Sequence, residues 1–348
     1  MLFVHLSILS IYLILGSISL TTGDSFVMKA IYGVNVSQVD KINQTVERLK
    51  ETGVNSAFVV KDKRLIDALH KNGLRVFFSI NVFGGVGPWN QFPELRPITH
   101  TGKPLDSMDG YGGLCPTNEP YRQRKLDEIS NLLKEYPVDG IWLDFIRYPT
   151  KWEVKNPNIQ RTCFCTNCLT KFSQDTNVKF PYNLTTVEEK ANWILKFYDS
   201  TWNKWRSDQI ISFVRDVRKV ISEVRPKTLL GIFAVPWRKG DFGEAIIWGV
   251  AQDFEKMSPY VDAFSPMVYH EMCGRPVTWI SEITDYFSMQ TKKPVYPIIQ
   301  AENITSAEFR EAIHAGLNPP SSGIIIFTFP YLDRKKWDIL SQSLNPPH

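Results

Sequence analysis

No run of five or six like charges occurs in the 348 residues, and no linker or low-complexity stretch divides them. The first absence removes the basic patch that a nucleic-acid surface needs. The 40 Lys+Arg lie among 36 Asp+Glu and leave a net charge of only +4. The second absence favours one large domain over two ordinary ones. Beyond residue 20 no run of 18 uninterrupted apolar residues recurs, so no second membrane span is expected. With 43% hydrophobic and 22% charged residues the chain is globular, neither disordered nor fibrous. Aromatics are abundant instead, with 10 Trp, 13 Tyr and 21 Phe. Such a surplus serves either large cores or platforms that stack on sugar faces.

From Leu2 to Leu20 the chain is almost wholly apolar, and no Lys, Arg, Asp or Glu precedes Asp24. Residues 1–23 therefore read as a secretory signal peptide, or as an N-terminal membrane anchor, since about 19 apolar residues just span a bilayer. Either places the protein outside the cytoplasm, secreted or membrane-anchored at its N-terminus. Four N-x-[ST] sequons, at Asn35, Asn43, Asn183 and Asn303, fit an exported glycoprotein. In that compartment the five cysteines suggest disulfides, and the odd number leaves one over. Cys163, Cys165 and Cys168 are also compact enough to hold a structural zinc with a fourth ligand from elsewhere. The alternative is a local disulfide pinning a long loop, with Cys115 or Cys273 also paired. No other cofactor is expected.

After the leader, short apolar runs alternate with amphipathic stretches. The runs are 28–36, 54–60, 74–83, 138–145, 228–236, 260–269, 293–300 and 322–330, too continuously apolar for a half-exposed sheet. Between them, helices are predicted over 37–52, 63–72, from Thr117 to near Pro137, over 306–315 and over 333–343. A longer tract opens at the capping box Thr186-x-x-Glu189 and breaks once before Val224. Eight strands alternating with helices is the count of a (β/α)8 TIM barrel, here one domain over residues 24–348. Two connections, 84–117 after strand 3 and 146–185 after strand 4, are too long for plain turns. Both belong to the C-terminal face, where barrel active sites sit.

The strand ends on that face carry Asn35, Lys61, Asn81, Asp144 with Arg147, Trp237, Arg238 and Asp241. Further round come Tyr269, His270, Glu271, Gln300, Glu302 and Tyr331. The set has no Ser-His-Asp arrangement and no nucleophile elbow. It is rich in carboxylates, aromatics and amides, which suits hydrolysis of glycosidic bonds: one acid protonates the leaving oxygen and another attacks or activates water. Asp144 is the leading catalytic carboxylate, because Arg147 three residues on favours its ionised form. Glu302 and Glu271 are candidates for the second acid, with Asp241 third. Asn81, Arg147, Trp237, Asp241, Tyr269, His270 and Gln300 are candidate substrate contacts. Trp89, Trp152, Trp237 and Tyr269 are candidate sugar platforms, whereas Trp193, Trp202 and Trp205 recur along a helix as packing residues would.

The run Asp139-Gly140-Ile141-Trp142-Leu143-Asp144-Phe145-Ile146-Arg147-Tyr148-Pro149 resembles the strand-4 motif of glycoside-hydrolase-like TIM barrels, the glycosyl hydrolase-like 10 group and its relatives. The segments Leu114–Arg122, Trp205–Ile210 and Val261–Tyr269 resemble further motifs of that group in the same order, covering roughly residues 28–330. The resemblance implies a secreted or surface enzyme acting on a polysaccharide or other glycan, with Asp144 as its catalytic carboxylate. Many members carry a second acid directly after that aspartate; here it is Phe145. Family 18 chitinases differ more. Their strand-4 proton donor is Ile146 here, their middle aspartate is Trp142, and their strand-6 aspartate is His270, so their mechanism is not available. Two rival readings remain: an inert, lectin-like glycan-binding barrel that has lost its second acid, and a metal-dependent hydrolase using the cysteine cluster.

Overall fold

Continuous apolar runs bury both faces of a strand, and such strands pair in parallel under a cover of helices. The computed structural model, which describes residues 26–345, contains eight of them. They are β1 (Met28–Val34), β2 (Ser56–Val59), β3 (Arg75–Asn81), β4 (Gly140–Asp144), β5 (Leu229–Ala234), β6 (Ala263–Pro266), β7 (Ile298–Gln300) and β8 (Gly323–Phe327). Hydrogen-bonded neighbours run β6-β5-β4-β3-β2-β1-β8-β7. Parallel bridges Phe264↔Val295 and Met267↔Ile298 join the two ends and close the barrel. The expected TIM barrel is the observed fold.

The strands are shorter than the apolar runs that announce them. Strand β7 keeps three residues of 293–300, since Pro294 and Pro297 have no N–H to give a ladder. The helices are α1 (Val39–Glu51), α2 (Lys63–Lys71), α3 (Val86–Gln91), α4 (Glu119–Glu135), α5 (Thr166–Thr176) and α6 (Val187–Phe197). Then come α7 (Asp199–Val224), α8 (Ala245–Trp248), α9 (Phe254–Met257), α10 (Trp279–Thr291), α11 (Ser306–Leu317) and α12 (Arg334–Leu344). The Thr186/Glu189 capping box opens α6 as expected, and the tract breaks at Tyr198. Helix α10 was not foreseen. Its buried Trp279, Ile280, Ile283 and Phe287 keep helical spacing, but Thr278 makes no side-chain cap and Lys292, not glycine, takes the left-handed terminus.

Inside the barrel the aromatic surplus finds its main use. Tyr32, Phe58, Phe77, Trp142 and Phe233 pack with ring centroids 5.0–5.8 Å apart. The indole of Trp142 fills the space over Gly231, where a Cβ would lie 2.0 Å from the ring. Its Nε1 donates to Ser265 Oγ at 2.9 Å, so no polar group is stranded there. Trp202 and Trp205 pack under α7 against Phe164 and Phe172, as predicted for core residues.

Two scaffold arginines belong to the motifs noted in the sequence. Arg122 ties α4 to α7 through Gln209 O at 2.9 Å and Ser212 Oγ at 2.8 Å. Arg206 lies over the Tyr148 ring and donates to Gly249 O at 2.9 Å. Both are buried. The predicted leader, residues 1–23, lies outside the described residues. Among those described, no helix is long and apolar enough to cross a membrane.

Candidate active site

Side chains two apart on a strand share a face. Trp142 points into the barrel, so Asp144 takes the same face one step higher, at the C-terminal mouth. Asn81 of β3 stands in register with it. The chain then leaves the strand through Phe145 at φ 51°, a left-handed conformation that costs a side-chain-bearing residue about 1–2 kcal/mol. Phe145 N donates to Asp144 Oδ1 at 2.7 Å. Its ring lies against Gly84, where a Cβ would come within 2.0 Å. The strained corner thus fixes the Asp144 carboxylate from its own backbone.

The segments 82–118 and 145–165 lock together above this corner. Val82 N donates to Asp144 O at 2.9 Å, and Phe164 N to Ile98 O at 2.8 Å. Thr99 and Thr162 form an antiparallel bridge, and Lys151 Nζ meets Asp109 Oδ2 at 2.6 Å. Arg147 is buried, with its guanidinium 4.7 Å over the Phe145 ring and NH1 reaching Thr150 O at 3.4 Å.

This folding brings in a carboxylate that the strand-end reading missed. Burial pushes Glu153 up to about 7. The Tyr111 hydroxyl and the Arg147 charge pull it down, and the Asp144 charge adds to the rise. Burial also raises Asp144, against the Arg147 charge and the Phe145 amide, which hold it down. Arg147 therefore opposes protonation of Asp144, as expected, but burial outweighs it. Tyr32, Tyr111 and Tyr269 complete the network; burial raises all three phenols and Asp144 raises each further. Trp152 stacks on Tyr269 at 5.7 Å and 21°. The sequence did hold a signal for Glu153, the sole Asp or Glu between Asp144 and Asp175. Only the fold shows that its loop turns back over the mouth.

The other predicted residues make contacts of their own. Glu271 is exposed, and its amide donates to Gln300 Oε1 at 3.1 Å. Gln300 is fully buried and also accepts from Met272 N at 3.3 Å and donates to Glu302 O at 2.9 Å. It is a brace between the β6 and β7 loops rather than an open contact. Glu302 is half-buried, and its carboxylate raises the Tyr331 phenol. Asp241 is taken up by Arg238, accepting from its amide at 2.8 Å and its Nε at 3.4 Å. His270 is buried, and burial lowers its pKa. Trp89, Trp152, Trp237 and Tyr269 are 8%, 1%, 4% and 4% exposed, so they pack inside the loops instead of presenting open sugar platforms. Asn81, Asn35, Asn43, Asn183 and Asn303 are exposed.

None of the five cysteines is joined in a disulfide. Burial pushes Cys273, which stands apart, up to about 12. The other four gather, and Cys115 joins Cys163, Cys165 and Cys168 as a fourth sulfur. A groove of about 670 Å³ opens between the two loops, lined by His100, Lys103, Asp106, Lys151, Asn156 and Asn158 together with apolar side chains such as Leu105 and Met108.

A parallel eight-stranded barrel with carboxylates at its C-terminal mouth is an architecture that glycoside hydrolases share with other enzymes. The chain belongs to the family whose model is described as "Putative glycosyl hydrolase domain", which matches residues 37–319. Membership makes it a glycosidase of TIM-barrel type. No curated protein matches the chain. Among solved structures it is similar to the PgaB (BpsB) glycoside hydrolase domain of Bordetella bronchiseptica. That likeness has 12% identity and a TM-score of 0.71, over 92% of this chain and 100% of that one. The β-galactosidase of the psychrophilic Marinomonas ef1 shares 10% identity with a TM-score of 0.65, over 90% of this chain and 59% of its own. The β-amylase catalytic domain of Paenibacillus polymyxa shares 10% with a TM-score of 0.57, over 92% and 98%. At these identities the likeness is one of fold.

Proposed function

We propose that the protein is an exported glycosidase that cleaves a glycan at the barrel mouth with Asp144 and Glu153. The observation that carries this reading is one charge network holding two carboxylates and Arg147, with Glu153 raised to about 7. Carboxyls in different environments divide the work of glycoside hydrolysis. Protonated near neutral pH, Glu153 delivers its proton to the glycosidic oxygen. Arg147 favours the anion of both carboxylates, and Asp144, whose anion also accepts from the Phe145 amide, attacks the anomeric carbon or activates water. Glu153 thereby fills the role for which Glu271 and Glu302 were candidates. The amides and charged tips of the groove between the two loops suit hydroxyl-rich chains.

Export rests on the apolar leader over residues 1–23, and the four exposed sequon asparagines suit a glycoprotein of that route. The test is release of reducing ends from a broad panel of glycans by the purified protein. Wild type releases them and Asp144→Asn does not. Binding without release by wild type, on every glycan, overturns the enzyme reading and leaves the lectin-like one. Release unaffected by Asp144→Asn overturns the site.

A further inference from the structure

Four sulfurs meet away from the carboxylates, and the proposed catalysis makes no use of them. The Sγ atoms of Cys115, Cys163, Cys165 and Cys168 all lie within 4.8 Å of one another. Cys115 Sγ is 3.4 Å from that of Cys168 and 3.7 Å from that of Cys165. Zinc–sulfur bonds of about 2.3 Å in a tetrahedron put neighbouring sulfurs about 3.8 Å apart. Three of the four cysteines are buried and Cys165 is half-buried.

The surroundings suit thiolates. Ile98 N donates to Cys163 Sγ at 3.4 Å. Thr117 Oγ1 lies 3.2 Å from Cys115 Sγ and 3.1 Å from Cys168 Sγ. Asn167 Nδ2 donates to that same Oγ1 at 3.0 Å, so an oxygen lone pair is occupied and the hydroxyl proton is free for sulfur. Hydrogen bonds of this kind orient metal ligands and tune their charge. Cys165 also precedes α5 and Cys168 lies in its first turn, where the helix N-terminus favours negative sulfur.

We propose that Cys115, Cys163, Cys165 and Cys168 hold one zinc ion through four thiolates and so clip the two long loops together. Four protein ligands close the coordination sphere, which makes the site structural and leaves no position for substrate. Cys115 ends the loop that carries Tyr111, and Cys163 ends the loop that carries Glu153 and Trp152. The metal therefore holds the two halves of the mouth's cover in register. This site does not depend on the catalytic assignment.

The purified full chain, prepared without chelators, is expected to contain one zinc per molecule by plasma mass spectrometry. Replacement by cobalt(II) is expected to give the visible bands of a tetrahedral site and intense near-ultraviolet thiolate-to-cobalt charge transfer. Cys273→Ser keeps the zinc, whereas Cys115→Ser loses it. Thr117→Val binds it about tenfold or more weakly in a chelator competition. Metal-free wild type, or peptide mapping that finds these four cysteines in disulfides, overturns the site. Iron in place of zinc overturns the assignment of the metal. The wild-type measurements stand even if Cys115→Ser fails to fold.

Discussion

The barrel interior and the loops above it are built on opposite principles. Below, Tyr32, Phe58, Phe77, Trp142 and Phe233 interlock, and the Trp142 N–H finds Ser265. Above, the segment 147–162 buries polar atoms without partners among the described residues. Arg147 Nε, Tyr148 Oη, Thr150 Oγ1, Trp152 Nε1, Glu153 Oε2 and Thr162 Oγ1 are six of the fifteen such atoms found. A buried polar group left unpaired costs about 1–3 kcal/mol. The lower layer therefore supplies stability, and the upper one carries the cost of burying polar groups. Stability and activity ought to separate along this boundary.

The sharpest way to break that separation is Asp144→Asn. It is expected to lower kcat/KM by about 10⁴-fold with little change in Tm, read from reducing-end kinetics beside a thermal melt. A melt that collapses with the activity would make Asp144 a structural residue. Glu153→Gln follows, with a loss of about 10²–10⁴-fold if Glu153 is the proton donor. In wild type kcat/KM should fall above about pH 7 as Glu153 ionises, and on the acid side as Asp144 gains its proton. The basic limb should vanish in Glu153→Gln. The linkage has a definite sign. The folded state keeps the Glu153 proton up to about 7 and the unfolded chain loses it near 4.5, so this group makes stability fall as pH rises through that window. Removing the charge should stabilise the protein by about 1–3 kcal/mol above pH 7, a gain that shrinks toward pH 4.5. Denaturant melts at the two pH values check it.

The same boundary separates what the sequence reveals from what it hides. Apolar runs and capping residues are local, so the eight strands, Asp144 and the Thr186/Glu189 cap could be read from neighbours in the chain. Glu153 could not. It lies nine residues past Asp144 in a loop without periodicity, and its raised pKa comes from burial against Tyr111 and Arg147. Cys115 was hidden similarly, 48 residues from Cys163 in the chain until the loops fold together. Trp152 and Tyr269 lie where open sugar platforms were expected, yet they stack on each other. Composition announces aromatics without saying which face solvent.

A smaller effect, on the other side of the boundary, comes from Leu69→Ala. Leu69 is fully buried on α2, a helix that precedes β3 and contributes nothing to the mouth. Deleting its side chain should cost about 2–5 kcal/mol of stability and leave kcat/KM per folded molecule within twofold at 25 °C. Loss of activity ahead of unfolding would show the scaffold and the loops to be coupled.

The smallest expected effects test the choice of second carboxylate. Glu271 is exposed, and it is its amide, not its carboxylate, that binds Gln300. The half-buried Glu302 is engaged with Tyr331. Glu271→Gln and Glu302→Gln keep the backbone contacts of both residues, so each should change kcat/KM by less than about threefold, near the noise of surface substitutions. A fall of about 10²-fold in either, with Glu153→Gln active, would move the proton donor to the β6 or β7 loop. The buried Gln300 that braces those loops would then be positioning the catalytic acid, and the segment 145–165 would be cover alone.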